Sequence, residues 1–144
     1  MTDSSDSRSD QLVAWAREQL DRAVRDLLRL GALNGELIEI KPVWTLPRSL
    51  VIGEAREQGD SQRSVWIICG ESTLDCIESR LATSPRDAAR HFAMKWQLDA
   101  ERHRDPGVRQ KLDPDSKRDW EVLCKDLQQK AESLFELVSQ DFLW

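Results

Sequence analysis

Residues 48–69, RSLVIGEAREQGDSQRSVWIIC, decide the fold class, because they predict two β-strands in a chain whose other long segments are helical. Segments 48–57 and 63–69 are rich in branched apolar residues, and QGDSQ between them has the length of a hairpin turn. In the second segment one face carries Val65, Ile67 and Cys69, and the other carries Trp66 and Ile68. Apolar residues on both faces are typical of a central strand that is covered on both sides.

The segment before this hairpin predicts a long helix from Ser9 to about Leu30. Its apolar residues recur at helical spacing, and Gly31 follows as a stop signal. Residues 1–8 are polar, and we expect them to form a disordered tail. Residues 36–48 contain Pro42 and Pro47, which exclude a long helix and leave a loop or a short strand.

The segment after the hairpin predicts a short helix over residues 74–81 and a longer one from Pro85 to about Arg104. Ser84 is placed to cap the longer helix, and Asp87 is placed to complete a capping box. On one face of this helix we expect a core stripe of Ala89, Phe92, Ala93, Trp96 and Ala100.

The opposite, weaker apolar face of this helix carries His91, Met94 and Leu98. Internal packing is the expected use of this face, and the alternative is a surface that binds a partner. If it binds a partner, Arg102 extends the same face.

A last helix is predicted from about Asp115 to Gln140, with a lengthwise apolar seam. The seam comprises Trp120, Cys124, Leu127, Ala131, Leu134 and Val138. We expect the apolar tail that follows, Phe142 to Trp144, to fold back and dock through the Trp144 ring. A tail that a partner reads as a linear tag is the alternative.

These elements predict an α+β fold, in which a small antiparallel sheet packs with about four helices, two of them long. Residues 9–144 are expected to form a single domain, because a chain of 144 residues suits one core.

Composition and charge exclude several classes of protein. The net charge of −5 argues against nucleic-acid binding, which needs a basic footprint. Residues 84–118 are the exception, with nine basic and six acidic residues. The polar start, the lack of an apolar run of about 20 residues and the odd number of cysteines predict a cytoplasmic protein without a membrane segment.

Patterns for catalysis and metal binding are weak. His91 and His103 are twelve residues apart on one helix and cannot bind one metal ion, and the cysteines lack metal-type pairing, so we expect no metal and no cofactor. A strand end meets a helix start at CGESTLD, but Glu71 would repel an anion there. Glu71, Asp75 and His91 remain weak candidates for an acid–base site.

Three stretches carry a family resemblance: VWIICGE, SPRDAARHFAMKWQLDAE and KAESLFELVSQDFLW. Over residues 12–144 the chain resembles an uncharacterised bacterial family of small proteins with a domain of unknown function. The most specific motif is Arg-x-x-x-x-His-Phe-x-x-x-Trp-Gln-Leu, at residues 86–98. Members often carry histidine where this chain has Cys76 and proline near Thr73, so the resemblance implies no catalytic or metal-binding histidine in that turn.

The sequence therefore favours a non-catalytic bacterial protein that binds another protein, as an adaptor, a chaperone-like binder or an immunity-type protein. A homodimer is a further option. The partner-binding candidates are His91, Met94, Leu98, Arg102 and Trp144. The alternative is an enzyme whose acid–base site lies near Glu71, Asp75 and His91.

Overall fold

A computed structural model describes residues 4–33, 37–58, 63–70, 73–105, 107 and 120–144. The chain divides into two compact units, Met1–Ala88 and Ala89–Trp144. The first unit contains one helix and the sheet, and the second contains most of a second helix and a third. The prediction of a single domain over residues 9–144 stays a prediction.

The described elements confirm the α+β class. In chain order they are α1 (Ser4–Arg29), β1 (Leu37–Leu46), β2 (Leu50–Glu57), β3 (Ser64–Gly70), β4 (Leu74–Glu78), α2 (Pro85–His103) and α3 (Trp120–Val138). Short 3-10 turns follow β4 and α3, at Ser79–Leu81 and Asp141–Leu143. The described part of the chain thus has three α-helices, slightly fewer than the four expected.

The four strands form one antiparallel sheet in the order β1-β2-β3-β4. The predicted hairpin is confirmed as β2 and β3, with Ile52 opposite Ile68 and Ala55 opposite Val65. The five residues from Val65 to Cys69 are all buried, as expected for a central strand. The QGDSQ turn falls mostly outside the described residues.

Two sequence expectations beside this hairpin need correction. Residues that were expected to form a loop or a short strand form β1, a ten-residue edge strand. Its register shifts between Pro42 and Trp44, and an irregular edge strand tolerates a proline that cannot donate a hydrogen bond. The expected helix over residues 74–81 is instead β4 followed by a 3-10 turn. Pairing with the free side of β3 outweighs the local helix pattern there, with Cys76 opposite Ile67.

Helix α1 packs on one face of the sheet and builds the core of the first unit. Gly53 of β2 permits this close approach, because a Cβ atom there would lie 2.7 Å from Leu20 Cδ2. The helix begins at Ser4, five residues before the predicted Ser9. It ends at Arg29, and Gly31 follows as the predicted stop signal, with a φ of +79° and a 3.1 Å hydrogen bond from its N–H to the Leu28 carbonyl.

The predicted start of α2 is confirmed in detail. The backbone N–H of Asp87 donates to Ser84 Oγ at 3.1 Å. In return Asp87 Oδ2 accepts the backbone N–H of Thr83 at 3.2 Å, one residue earlier than in the standard capping box. These two bonds fix the point at which the helix begins.

The second unit confirms both predicted apolar stripes. The five stripe residues of α2 are buried, and the Phe92 and Trp96 ring centroids lie 6.2 Å apart. Along α3 the seam positions Cys124, Ala131, Leu134 and Val138 are buried, while Trp120 and Leu127 are half-buried. The predicted start of the last helix near Asp115 lies outside the described residues, and the helix ends at Val138.

Candidate functional site

The face of α2 opposite its core stripe presents two large apolar side chains to solvent. Met94 is 47% exposed and Leu98 is 57% exposed, and they lie one helical turn apart. Arg102 is exposed one turn further on, and His91 is half-buried on the same side of the helix. The expectation that this face packs internally is therefore wrong for Met94 and Leu98. We call Met94, Leu98 and Arg102 the α2 face.

Helix α2 has a small excess of basic residues. It contains four arginine or lysine residues and three acidic residues, in a chain whose net charge is −5. The α2 face is thus an apolar pair on the most basic helix of the described chain.

The C-terminal end of α2 is held against the start of α3. The His103 ring stacks on the Trp120 indole, with centroids 5.4 Å apart and planes inclined by 16°. His103 Nδ1–H donates to the backbone carbonyl of Asp99 at 2.5 Å, and Arg104 hydrogen-bonds the side chain of Gln128. Because the ring stacking and the Arg104–Gln128 bond both reach α3, they hold the C-terminal end of the helix that carries the α2 face.

The end of α3 folds back as predicted, but only in part. Trp144 Nε1–H donates to the backbone carbonyl of Leu137 at 3.0 Å, and Leu143 and Trp144 are half-buried. Phe142 points the other way and is 83% exposed. The docked tail therefore leaves one of its three large apolar groups in water.

The acid–base candidates occupy different parts of the chain. Asp75 lies on β4 in the first unit, where its Oδ1 accepts the backbone N–H of Cys76 at 2.8 Å. His91 lies on α2 in the second unit, and Glu71 falls outside the described residues. A catalytic arrangement of these three residues stays a prediction.

A charged cluster in the first unit was not found from the sequence. Arg63 contacts Glu57 at 3.5 Å and Glu78 at 2.8 Å, and it also donates to the Ala32 carbonyl at 3.4 Å. Glu57 is only 7% exposed. An open pocket of about 530 Å³ lies beside the cluster, lined in part by Arg63, Glu78 and Arg80. Since the central arginine is satisfied by two carboxylates, the cluster is a structural clamp that joins β2 and β4 through the residue preceding β3.

Other chemistry-bearing groups in the described residues are sparse. No group of three or more His, Cys, Asp or Glu side chains there could hold a metal ion. Cys69 is buried, and burial raises the pKa of its thiol to about 11, which keeps it protonated and unreactive. None of the helices in those ranges has the length and apolar character that crossing a bilayer requires.

Comparison with known proteins assigns the chain to a family. No curated protein and no solved structure is significantly similar to the chain. A family model does match it, over residues 9–144, which include all the elements described above except the first turn of α1. The chain belongs to the family described as Domain of unknown function (DUF4826).

Proposed function

We propose that this protein binds another protein through the α2 face and has no catalytic role. The observation that carries the proposal is the exposure of Met94 and Leu98, one turn apart on a helix that is otherwise well packed. Because Met94 and Leu98 lie next to each other on the helix surface, they form a continuous apolar stripe rather than two isolated exposed side chains.

The chemistry of this stripe suits a protein partner. Methionine is flexible and polarisable, and it adapts to the shape of the surface that covers it. Full burial of such a side chain contributes about 1.5–3 kcal/mol. Covering the exposed half of Met94 and Leu98 would thus contribute on the order of 2 kcal/mol, or more than tenfold in affinity.

The charge of the helix indicates what kind of partner it is. Helix α2 carries a net charge of +1, from four basic and three acidic residues, and Arg102 continues the apolar pair along the same face. An amphipathic helix with acidic residues beside its apolar stripe would complement both features, since paired helices pack stripe to stripe and charge pairs fix their register. We propose this partner, and we place the interaction in the cytoplasm, because all three cysteines of the chain are free thiols.

Binding to a synthetic probe tests the proposal. The probe is a short amphipathic helical peptide with a leucine stripe flanked by glutamates. A second peptide carries lysines in place of the glutamates, and its binding should not change when Met94 and Leu98 are replaced. We expect saturable binding of the acidic peptide, and at least about tenfold weaker binding by a Met94→Ser/Leu98→Ser double variant.

A matched variant controls for general stickiness. Val13 of α1 is 65% exposed, so Val13→Ser removes comparable apolar surface from a different helix and should leave binding unchanged. Equal binding of the acidic peptide by the wild type and the double variant would overturn the proposal.

A further inference from the structure

The end of α3 carries a second exposed apolar feature, which the α2 face does not include. We infer that Phe142 anchors a second docking surface, and that its occupant is a partner protein with an apolar surface flanked by lysine and arginine. The inference goes beyond the proposed function, because it concerns different residues and a partner of opposite charge.

The first step is the way in which Phe142 is presented. The 3-10 turn Asp141–Leu143 reverses the chain, with the Leu143 N–H donating to the Gln140 carbonyl at 3.1 Å. Trp144 then bonds back to the Leu137 carbonyl at 3.0 Å. With contacts on both sides of it, Phe142 projects from an ordered turn at 83% exposure.

An ordered, exposed aromatic ring is suited to binding. Aromatic residues dominate the residues whose truncation costs most at protein interfaces, because they bury a large area and lose few rotamers. The turn is already ordered in the free protein, so binding does not have to spend free energy on ordering it, and such preorganisation strengthens binding.

The charge around Phe142 selects the occupant. Residues 131–144 contain three acidic residues, Glu132, Glu136 and Asp141, and no lysine, arginine or histidine. The last turn of α3 has no basic residue to offset the negative end of the helix dipole. The Ser139 hydroxyl and the Gln140 amide donate to the Glu136 carbonyl, but they carry no charge. An apolar surface flanked by basic residues is the complementary surface.

Two surfaces of opposite charge in one unit would let the protein bind two different partners at once. The α2 face would take an acidic segment, and the Phe142 surface would take a basic one. A protein that binds an acidic segment at one surface and a basic one at another would act as an adaptor between two partners.

The test measures binding of the lysine-flanked leucine peptide to the whole protein. We expect binding that weakens as salt concentration rises, and at least about tenfold weaker binding by Phe142→Ser. Phe142→Trp should keep the affinity, because it keeps an exposed aromatic ring. Phe142→Ser should also keep the wild-type melting temperature, because the lost side chain is exposed.

Three controls separate this surface from the α2 face and from general attraction. Met94→Ser/Leu98→Ser and Val13→Ser should bind the lysine peptide as the wild type does, so the two proposals can fail independently. Equal binding by Phe142→Ser and the wild type would overturn the inference. Concentration-dependent self-association that Phe142→Ser abolishes would also overturn it, because the occupant would then be a second copy of the chain.

Discussion

Trp144 donates its indole N–H to the backbone carbonyl of Leu137, seven residues earlier, and so holds the last residues against the end of α3. The same carbonyl also accepts the backbone N–H of Gln140 at 3.1 Å, so the indole adds a second hydrogen bond at the end of α3. Phe142 lies in the turn that this bond closes, and its side chain remains 83% exposed to solvent.

This bond predicts a measurable contribution to stability. Trp144→Phe keeps an aromatic ring but removes the donor, and we expect it to lower the free energy of unfolding by about 0.5–1.5 kcal/mol. Phe142→Ser serves as the matched control and should change it by less than about 0.5 kcal/mol. Urea unfolding followed by circular dichroism measures both. Equal stability of Trp144→Phe and the wild type would show that the bond does not hold the tail.

The two faces of α2 should respond to truncation in opposite ways. Trp96 is 7% exposed, and Trp96→Ala should cost about 3–5 kcal/mol, the usual range for emptying a buried aromatic site. Leu98 is 57% exposed on the opposite side, so Leu98→Ala should cost less than about 0.5 kcal/mol. Comparing the two melting temperatures is sufficient, and similar losses for both would contradict this assignment of faces.

The charged cluster of the first unit predicts a strong effect from one arginine. Arg63→Met leaves Glu57 nearly buried without this cation, and breaking a buried pair costs about 3–5 kcal/mol. We expect the lower end of that range, because the Arg63 side chain is 29% exposed. Arg80→Met is the matched control, since Arg80 lines the same pocket but is exposed.

A second substitution distinguishes a charge effect from a packing effect at this cluster. Adding Glu57→Gln to Arg63→Met also removes the negative charge of the nearly buried Glu57, and it should restore part of the lost free energy of unfolding. An Arg63→Met protein as stable as Arg80→Met would show that the cluster is not a clamp.

Cys69 predicts a pH dependence at the alkaline end. Burial raises the pKa of its thiol from 9.0 to about 11. Between these values the unfolded chain releases the thiol proton while the folded protein keeps it. The free energy of unfolding therefore falls with rising pH in this window, by on the order of 2 kcal/mol at about 1.4 kcal/mol per pH unit.

Comparison with Cys69→Ala isolates this contribution from other groups that titrate at high pH. The variant should lose less stability than the wild type between pH 9 and 11, and parallel curves would contradict the assignment. Thiol labelling gives an independent check, because half-buried Cys76 should react before buried Cys69.

The sequence predicted the elements whose signals are local and strong. The start of α2 followed from Ser84, Pro85 and Asp87, which act within one turn of helix. The central position of β3 followed from its two apolar faces. Such patterns need no knowledge of distant residues, and the structure confirms both.

The features that the sequence did not predict depend on contacts between residues that are distant in the chain. The segment that forms β4 has no strong strand pattern, and it becomes a strand because β3 offers an unpaired side, where Cys69 faces Leu74. The Arg63 cluster likewise joins residues from two strands and two connecting segments, which no spacing reveals. At the candidate site, helical periodicity placed Met94 and Leu98 on one face but could not decide that this face is exposed.

Site-specific photocrosslinking in cells tests the central claim, that the α2 face binds a partner protein, most directly. A photoreactive residue is placed at Leu98, and in a control protein at Val13, which is equally accessible on α1. We predict that the Leu98 position forms a covalent adduct with another protein, through an acidic amphipathic segment, and that the Val13 position does not. An adduct of the same yield from both positions, or no adduct from Leu98, would contradict the account.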